Sequence, residues 1–298
     1  MIKRVVITIP AYNEENNLAQ VLQDIKLQLT GKYDYKLLVV DDGSTDRTAE
    51  IAKQNGAVVI SHPNNYGLAE AFKTEIAECI KQKADIIVHT DADGQYPAEL
   101  IPKLISEIEN GASLVLGSRF KESKHADSFV KDITNRIFAA AISSMIKHKI
   151  TDSTTGFRAF TQNVAQLGTI SNHTYTQEQI IRTARNKLKI VEIPIQAKKT
   201  RRSRLMKSHP IFHPFEYAVK AWVNIFRIYR DYEPLKFFGY IGSSIISAGL
   251  ILGLWLFWIY FNTAKVGHPN TAILSMLLVI SGLQILLFGF LADMQRRI

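Results

Sequence analysis

Apolar positions along this chain follow two regimes. In the first, short β-branched runs alternate with stretches whose apolar residues recur every three to four positions, the spacing of one helix face. Strands are expected at Val5 to Ile9, Leu37 to Val40, Val58 to Ile60, Ile86 to Thr90 and Leu114 to Leu116. Helices are expected at Asn16 to Leu29, Thr48 to Gln54, Leu68 to Lys81 and Ala98 to Glu109, the last opened by Pro97. This order predicts an α/β fold, Rossmann-like, with a mostly parallel sheet and helices on both faces. Ligands of such sheets bind beyond the carboxyl ends of the strands.

The second regime begins at Phe237. Phe237 to Phe261 is a run of 25 residues without a charge, and Thr271 to Leu291 is another of 21. At about 1.5 Å rise per residue, each can cross a hydrocarbon layer of roughly 30 Å as a helix. A short polar loop joins them, so a membrane hairpin is expected. Before it, Phe212 to Tyr232 mixes aromatic and aliphatic residues with basic ones at helical spacing, as on an amphipathic juxtamembrane helix. The expected organisation is a globular domain over 1–208, a juxtamembrane segment over 209–236 and a hairpin over 237–298.

Charge sharpens this division. The 298 residues carry 36 Lys+Arg and 27 Asp+Glu, a formal net charge of +9. Ten basic and three acidic residues lie between Lys198 and Lys236, directly before the apolar run. Attraction to anionic lipid head groups explains that placement, and a nucleic-acid partner is not needed. Basic residues flank the hairpin at Arg227, Arg230 and Lys236 and at Arg296 and Arg297, whereas the loop has only Lys265 and His268. The positive-inside bias puts both termini in the cytosol, in a bacterial or archaeal inner membrane. No secretory signal is visible at the amino end, and the single Cys79 cannot form an internal disulfide. Gly239, Gly242, Ser243, Ser244, Gly249 and Gly253 could let helices approach closely, including those of a homo-oligomer.

Candidate chemistry sits at the expected strand ends. The first strand runs into Pro10-Ala11-Tyr12-Asn13-Glu14-Glu15 and the second into Asp41-Asp42-Gly43-Ser44. Carboxylates there can accept from the N–H groups of a nucleobase and the hydroxyls of a ribose, and Asp42 suits uracil or guanine equally. The fourth strand ends in Asp91-Ala92-Asp93-Gly94-Gln95, where alternation places two hard oxygen donors on one side. Such a pair can share a divalent cation with a diphosphate. Neither a G-x-G-x-x-G nor a G-x-x-x-x-G-K loop occurs, which argues against dinucleotide oxidoreductases and P-loop ATPases. His89 is expected to be a buried strand histidine.

These motifs, continued by Gly117-Ser118-Arg119-Phe120, Asp152, Thr155-Gly156-Phe157-Arg158 and Glu192-Ile193-Pro194-Ile195, resemble the family-2 inverting glycosyltransferases of GT-A fold. The resemblance is to the polyprenyl-phosphate sugar transferases related to dolichol-phosphate mannose synthase. It implies that Pro10, Tyr12, Glu14, Asp42 and Asp91 hold the nucleotide, and that Asp91, Asp93 and Gln95 surround Mg2+ or Mn2+. It implies catalytic roles for Asp93, Arg119 and Asp152, with Arg119, Arg158 and Glu178 toward the acceptor phosphate or sugar. The family's mobile Arg-x-x-Gly-x-Ser-Lys loop corresponds to Lys199-Thr200-Arg201-Arg202-Ser203-Arg204, which lacks the glycine. Arg201, Arg202, Ser203 and Arg204 are the expected phosphate contacts there.

The implied reaction is transfer of a hexose from a UDP- or GDP-sugar to a membrane polyprenyl phosphate. A phosphate monoester with a second pKa of ~6 is largely ionised at neutral pH and needs little help from a base. Transfer to a hydroxyl of a glycan or lipid is the alternative. A non-catalytic nucleotide-binding adaptor at the membrane is a further one, disfavoured by the intact Asp91 and Asp93.

Overall fold

The structure, a computed structural model, describes residues 3–121, 129–169, 175–198, 223, 226–264 and 268–295. Two compact units emerge, residues 1–218 and 219–298.

The first unit is built on a seven-stranded sheet. Its strands are β1 (Arg4–Ala11), β2 (Asp34–Asp41), β3 (Val58–Ser61), β4 (Ile86–His89), β5 (Leu114–Ser118), β6 (Arg158–Thr161) and β7 (Ile190–Pro194). They lie in the order β3-β2-β1-β4-β6-β5-β7. β3, β2, β1 and β4 pair in parallel, as do β5 and β7, and β6 runs antiparallel between β4 and β5. The sheet is therefore mostly parallel, as the strand–helix alternation predicts.

The helices are α1 (Leu18–Leu29), α2 (Thr48–Gln54), α3 (Leu68–Lys81), α4 (Ile101–Glu109), α5 (Phe129–Ile146), α6 (Gln162–Gln166) and α7 (Tyr175–Arg185). A single 3-10 turn, Ala98–Leu100, leads into α4. Along β1, seven consecutive residues from Val5 to Ala11 are buried, the continuous apolar run of a strand covered on both faces. Val5, Ile7 and Ile9 join Leu18, Leu22 and Ile25 of α1 and Leu104 and Ile105 of α4 in the main core. The opposite face carries a buried polar layer. There Thr8, Glu75, His89 and Arg158 are all fully buried, with Phe72 of α3 packed edge-on to His89.

The second unit contains α8 (Pro234–Thr263) and α9 (Pro269–Gln295), two helices long and apolar enough to cross a membrane. They extend past the expected spans at both ends. Most of their apolar side chains are exposed, unlike those of a core helix. Small residues let the two backbones meet. A Cβ on Gly242 would lie 2.7 Å from the Gly282 carbonyl, and one on Gly249 would lie 2.9 Å from the Ser275 carbonyl. Ser275 Oγ donates to the Gly249 carbonyl at 2.8 Å. Gly242 and Gly249, together with Ser275, Gly282 and Gly289, repeat every seven residues, the spacing of an antiparallel seam. Of the small residues expected to bring helices together, Gly242, Gly249 and Gly253 face α9, whereas Ser243 and Ser244 are exposed and a Cβ on Gly239 would meet nothing within 4 Å. Most of the expected amphipathic segment, Phe212 to Tyr232, lies outside the described residues; within it, 226–232 is helical.

Candidate active site

A cleft of about 330 Å3 opens beyond the carboxyl ends of β1, β2 and β4. It is lined by Pro10, Tyr12 and Glu14 after β1, by Asp42 after β2, by Asn65, Gly67 and Leu68 entering α3, and by Asp91 and Asp93 after β4. The residues expected to hold a nucleotide and the two carboxylates expected to hold a cation are therefore brought together. Tyr12 is 37% exposed, leaving its ring available to a planar ligand.

The first two strand-end loops are braced against each other. Asn13, at φ 53°, donates its N–H to Ser44 Oγ at 2.9 Å and accepts from Thr45 N–H at 2.8 Å. Glu14 N–H donates to Thr48 Oγ1 at 2.8 Å, and Glu15 N–H to Asp46 Oδ2 at 3.2 Å. Gly43, at φ 73°, permits the turn, and a Cβ there would lie 2.4 Å from the Asn64 carbonyl carbon. The adjacent aspartates divide the work. Asp41 accepts from Ser44 N–H at 3.1 Å and shapes the turn. Asp42 is buried against the cleft and accepts from His62 Nδ1 at 2.7 Å, Tyr66 N–H at 3.0 Å and Gly67 N–H at 2.8 Å.

Asp91 lies among strained electrostatics. Burial raises its pKa to about 6; Asp93 and Glu75 push the same way, while His89 and Arg119 oppose the rise. The glycine at 156 makes room for it, because a Cβ there would lie 2.9 Å from Asp91 Oδ1. Gly156 N–H is itself held by the Tyr96 hydroxyl at 3.0 Å, and burial pushes that phenol up to about 12. Asp93 Oδ1 accepts from Gln95 N–H at 2.9 Å. Among the described residues, no group of three His, Cys, Asp or Glu side chains converges to hold a metal. Two carboxylates suit a Mg2+-like ion that completes its shell with water and substrate phosphates. The burial, and after it the nearby carboxylates, that keep Asp91 hard to ionise are what such a cation would offset.

Arg119, after β5, grips Asp152 in a two-pronged pair, Nε to Oδ2 at 2.7 Å and Nη2 to Oδ1 at 3.0 Å. Its backbone N–H also donates to Oδ2 at 3.2 Å, and Nη2 donates to Thr154 Oγ1 at 2.8 Å. Burial disfavours the guanidinium charge, but the Asp152 hydrogen bonds and charge outweigh it and raise the pKa. Asp152 is fully buried and accepts Thr154 N–H as well at 3.2 Å. Behind it, Glu192 of β7 accepts from Thr151 N–H at 2.9 Å, Asp152 N–H at 3.1 Å and the Thr151 hydroxyl at 2.9 Å. Glu192 thus sets the segment that carries Asp152.

Other expected residues lie elsewhere. Arg158 is fully buried, donating to the carbonyls of Thr155 and Thr176 and to Gln179 Oε1, and burial lowers its pKa. Glu178 is buried and paired with Arg182 at 2.8 Å. Neither is among the residues lining the cleft, and nor are Gln95, Arg119 and Asp152. His89 is buried on β4, as expected, with Nδ1 2.7 Å from Glu75 Oε2. Arg201, Arg202, Ser203 and Arg204 lie outside the described residues. His62, Gly156 and Glu192 are the site residues whose roles sequence reasoning missed. The turn Asn65-Tyr66-Gly67 lies nearest to His62 in the sequence and supplies two of the donors to Asp42.

Comparisons with known proteins agree with this geometry. The glucosyl-3-phosphoglycerate synthase of Mycobacterium tuberculosis, crystallised with Mn2+ and UDP-glucose, superimposes with a TM-score of 0.54 at 20% identity, covering 75% of this chain and 79% of that one. The fold is the GT-A fold. The model of glycosyl transferase family 2 matches residues 6–168, and the chain belongs to that family. It is 33% identical over 186 residues to a dolichyl-phosphate hexose transferase of Haloferax volcanii, covering 62% of this chain and 78% of the relative. It is 26% identical to an undecaprenyl-phosphate 4-deoxy-4-formamido-L-arabinose transferase of Photorhabdus laumondii, covering 100% of this chain and 90% of the relative. The second match includes α8 and α9. The chain is a glycosyltransferase, and several of its relatives are named for dolichyl- or undecaprenyl-phosphate acceptors.

Proposed function

We propose that this glycosyltransferase moves a hexose, with inversion, from a UDP- or GDP-sugar to a membrane polyprenyl phosphate at the cytosolic face. The observation that carries the reading is the meeting of Asp42, Asp91 and Asp93 with the exposed ring of Tyr12 in one strand-end cleft. An anionic oxygen of the acceptor bonds to the anomeric carbon as the bond to the diphosphate oxygen breaks in line behind it. The acceptor arrives ionised, so no residue has to remove its proton. That suits Asp152, whose carboxylate is already committed to Arg119 and Thr154. Asp152 then acts as a positioning residue, holding Arg119 for a phosphate. Pro10, Tyr12, Glu14 and Asp42 hold the nucleoside. Asp91 and Asp93, with Gln95 beside them, would hold Mg2+ or Mn2+, which neutralises charge on the departing diphosphate.

In this reading α8 and α9 span a bacterial or archaeal inner membrane with both termini cytosolic, because basic residues flank the hairpin on that side. The basic residues from Lys198 to Lys236 meet anionic head groups and keep the domain over 1–208 near the acceptor. The test is incubation of membranes containing the full chain with radiolabelled UDP- and GDP-sugars and polyprenyl phosphate. An organic-extractable labelled product, absent in Asp91→Asn, is expected. Label appearing only as free sugar or on a glycan hydroxyl would overturn the proposal.

A further inference from the structure

The proposed donor site leaves the base of the nucleotide undecided, and the hydrogen bonds around Asp42 narrow it. Asp42 is 4% exposed and faces the cleft. Its Oδ1 accepts from His62 Nδ1 at 2.7 Å and from Tyr66 N–H at 3.0 Å, while Oδ2 accepts from Gly67 N–H at 2.8 Å. A carboxylate offers about four lone-pair directions, two on each oxygen. Both on Oδ1 are filled from within the protein. One remains, on Oδ2.

His62 is built into this arrangement. A carboxylate cannot donate, so the proton between His62 and Asp42 belongs to Nδ1. Its Nε2 lies 2.9 Å from Thr74 Oγ1 of α3, a hydroxyl whose one proton is shared between that nitrogen and the Glu70 carbonyl 3.1 Å away. The ring is further held 5.3 Å from that of Tyr66. With β3 and α3 both fixing it, the imidazole has no other orientation that keeps both contacts.

Uracil presents one N–H, at N3. Guanine presents N1–H and an amino N–H side by side, spaced for both oxygens of one carboxylate. Cytosine and adenine set an amino group beside a ring lone pair, which a carboxylate repels. Only the single-donor base matches what Asp42 has left, and a second N–H forced against a filled oxygen stays buried without a partner. Resting on the donor-site reading above, we infer that the donor is a uridine diphosphate sugar, and that His62 is a positioning and specificity residue that closes Oδ1 to a second donor.

The experiment is calorimetric titration of the detergent-solubilised full chain, in Mn2+, with UDP, GDP and N3-methyl-UDP. UDP should bind at least about tenfold more tightly than GDP or the methylated analogue, the discrimination expected where a wrong ligand leaves a buried polar group unpaired. His62→Ala should weaken UDP and shrink the UDP-to-GDP ratio, and His62→Gln, which keeps an N–H donor, should recover part of it. GDP binding as tightly as UDP to the unaltered chain would overturn the inference and leave the donor reading standing. An unchanged ratio in a folded His62→Ala would overturn the role of His62. Binding of neither nucleotide would overturn the donor reading and this inference together.

Discussion

Asp91 is the residue at which the electrostatics of the site are most exposed to test. Burial raises its pKa from 3.8 to about 6. Below the lower value the carboxyl is neutral whether the chain is folded or not. As pH rises through the interval, the unfolded chain releases the proton while the folded chain retains it, so stability is lost up to about pH 6 and stays lost above it. Asp91→Asn removes that loss. In metal-free, nucleotide-free protein, the variant should gain on the order of 2 kcal/mol over the parent between pH 4 and pH 7.5, at about 1.4 kcal/mol per pKa unit. Thermal unfolding at the two pH values checks this, and an equal difference at both would contradict it. The meeting of Asp42, Asp91 and Asp93 at one cleft was legible because the β-branched runs before them located the strand ends that they follow. His62 was not, because an isolated histidine after a four-residue strand gives no pattern to read. Gly156 was visible only as part of a motif. Its backbone shows no positive φ, and its purpose lies in the space it leaves for a residue 65 positions earlier.

At the scale of elements, the alternation of runs located β1 to β5 and α1 to α4, α2 and α3 with their observed bounds. For β1, β4 and β5 it did so because those strands are covered on both faces and read as unbroken apolar runs, whereas β3, at the sheet edge, was located by its β-branched residues alone. β6 escaped the same reading. It has four residues and opens with Arg158, whose burial depends on carbonyls of Thr155 and Thr176 that no local pattern announces. α7 escaped because its buried residues include Thr176, Gln177, Glu178 and Gln179. These late elements nevertheless set the chemistry, since β7 supplies the Glu192 that fixes Asp152 and hence Arg119. Asp152→Asn keeps the shape of that pair and removes its charge. Steady-state turnover should fall roughly tenfold to hundredfold, about 1.4 to 2.7 kcal/mol of barrier, with the pH–rate profile unmoved. Near-total loss with a displaced acidic limb would mark Asp152 as a base instead.

At the scale of the whole molecule, the division into a charged α/β part and an apolar hairpin was plain from charge alone, since length and the absence of charge are one-dimensional properties. Which small residues pair with which was not. Gly242 and Gly249 of α8 meet Gly282 and Ser275 of α9 across a seam that only the packed helices reveal. A Cβ on Gly282 would lie 2.6 Å from Ile246 Cγ1 and 2.8 Å from the Gly242 carbonyl. Gly282→Ile should therefore push the helices apart and lower the unfolding midpoint in detergent, whereas Gly239→Ile should leave it nearly unchanged. Overpacking of this kind costs about 1–3 kcal/mol. Equal midpoints for the two variants would contradict the seam.

The account rests on Asp91 and Asp93 holding a cation against a nucleoside diphosphate, and anomalous diffraction from crystals grown with Mn2+ and UDP tests it most directly. The predicted result is one manganese peak in contact with both carboxylates and with the diphosphate, while the uracil lies over Asp42. A nucleotide bound away from the β1–β2–β4 cleft, or manganese bound without either aspartate, would contradict it.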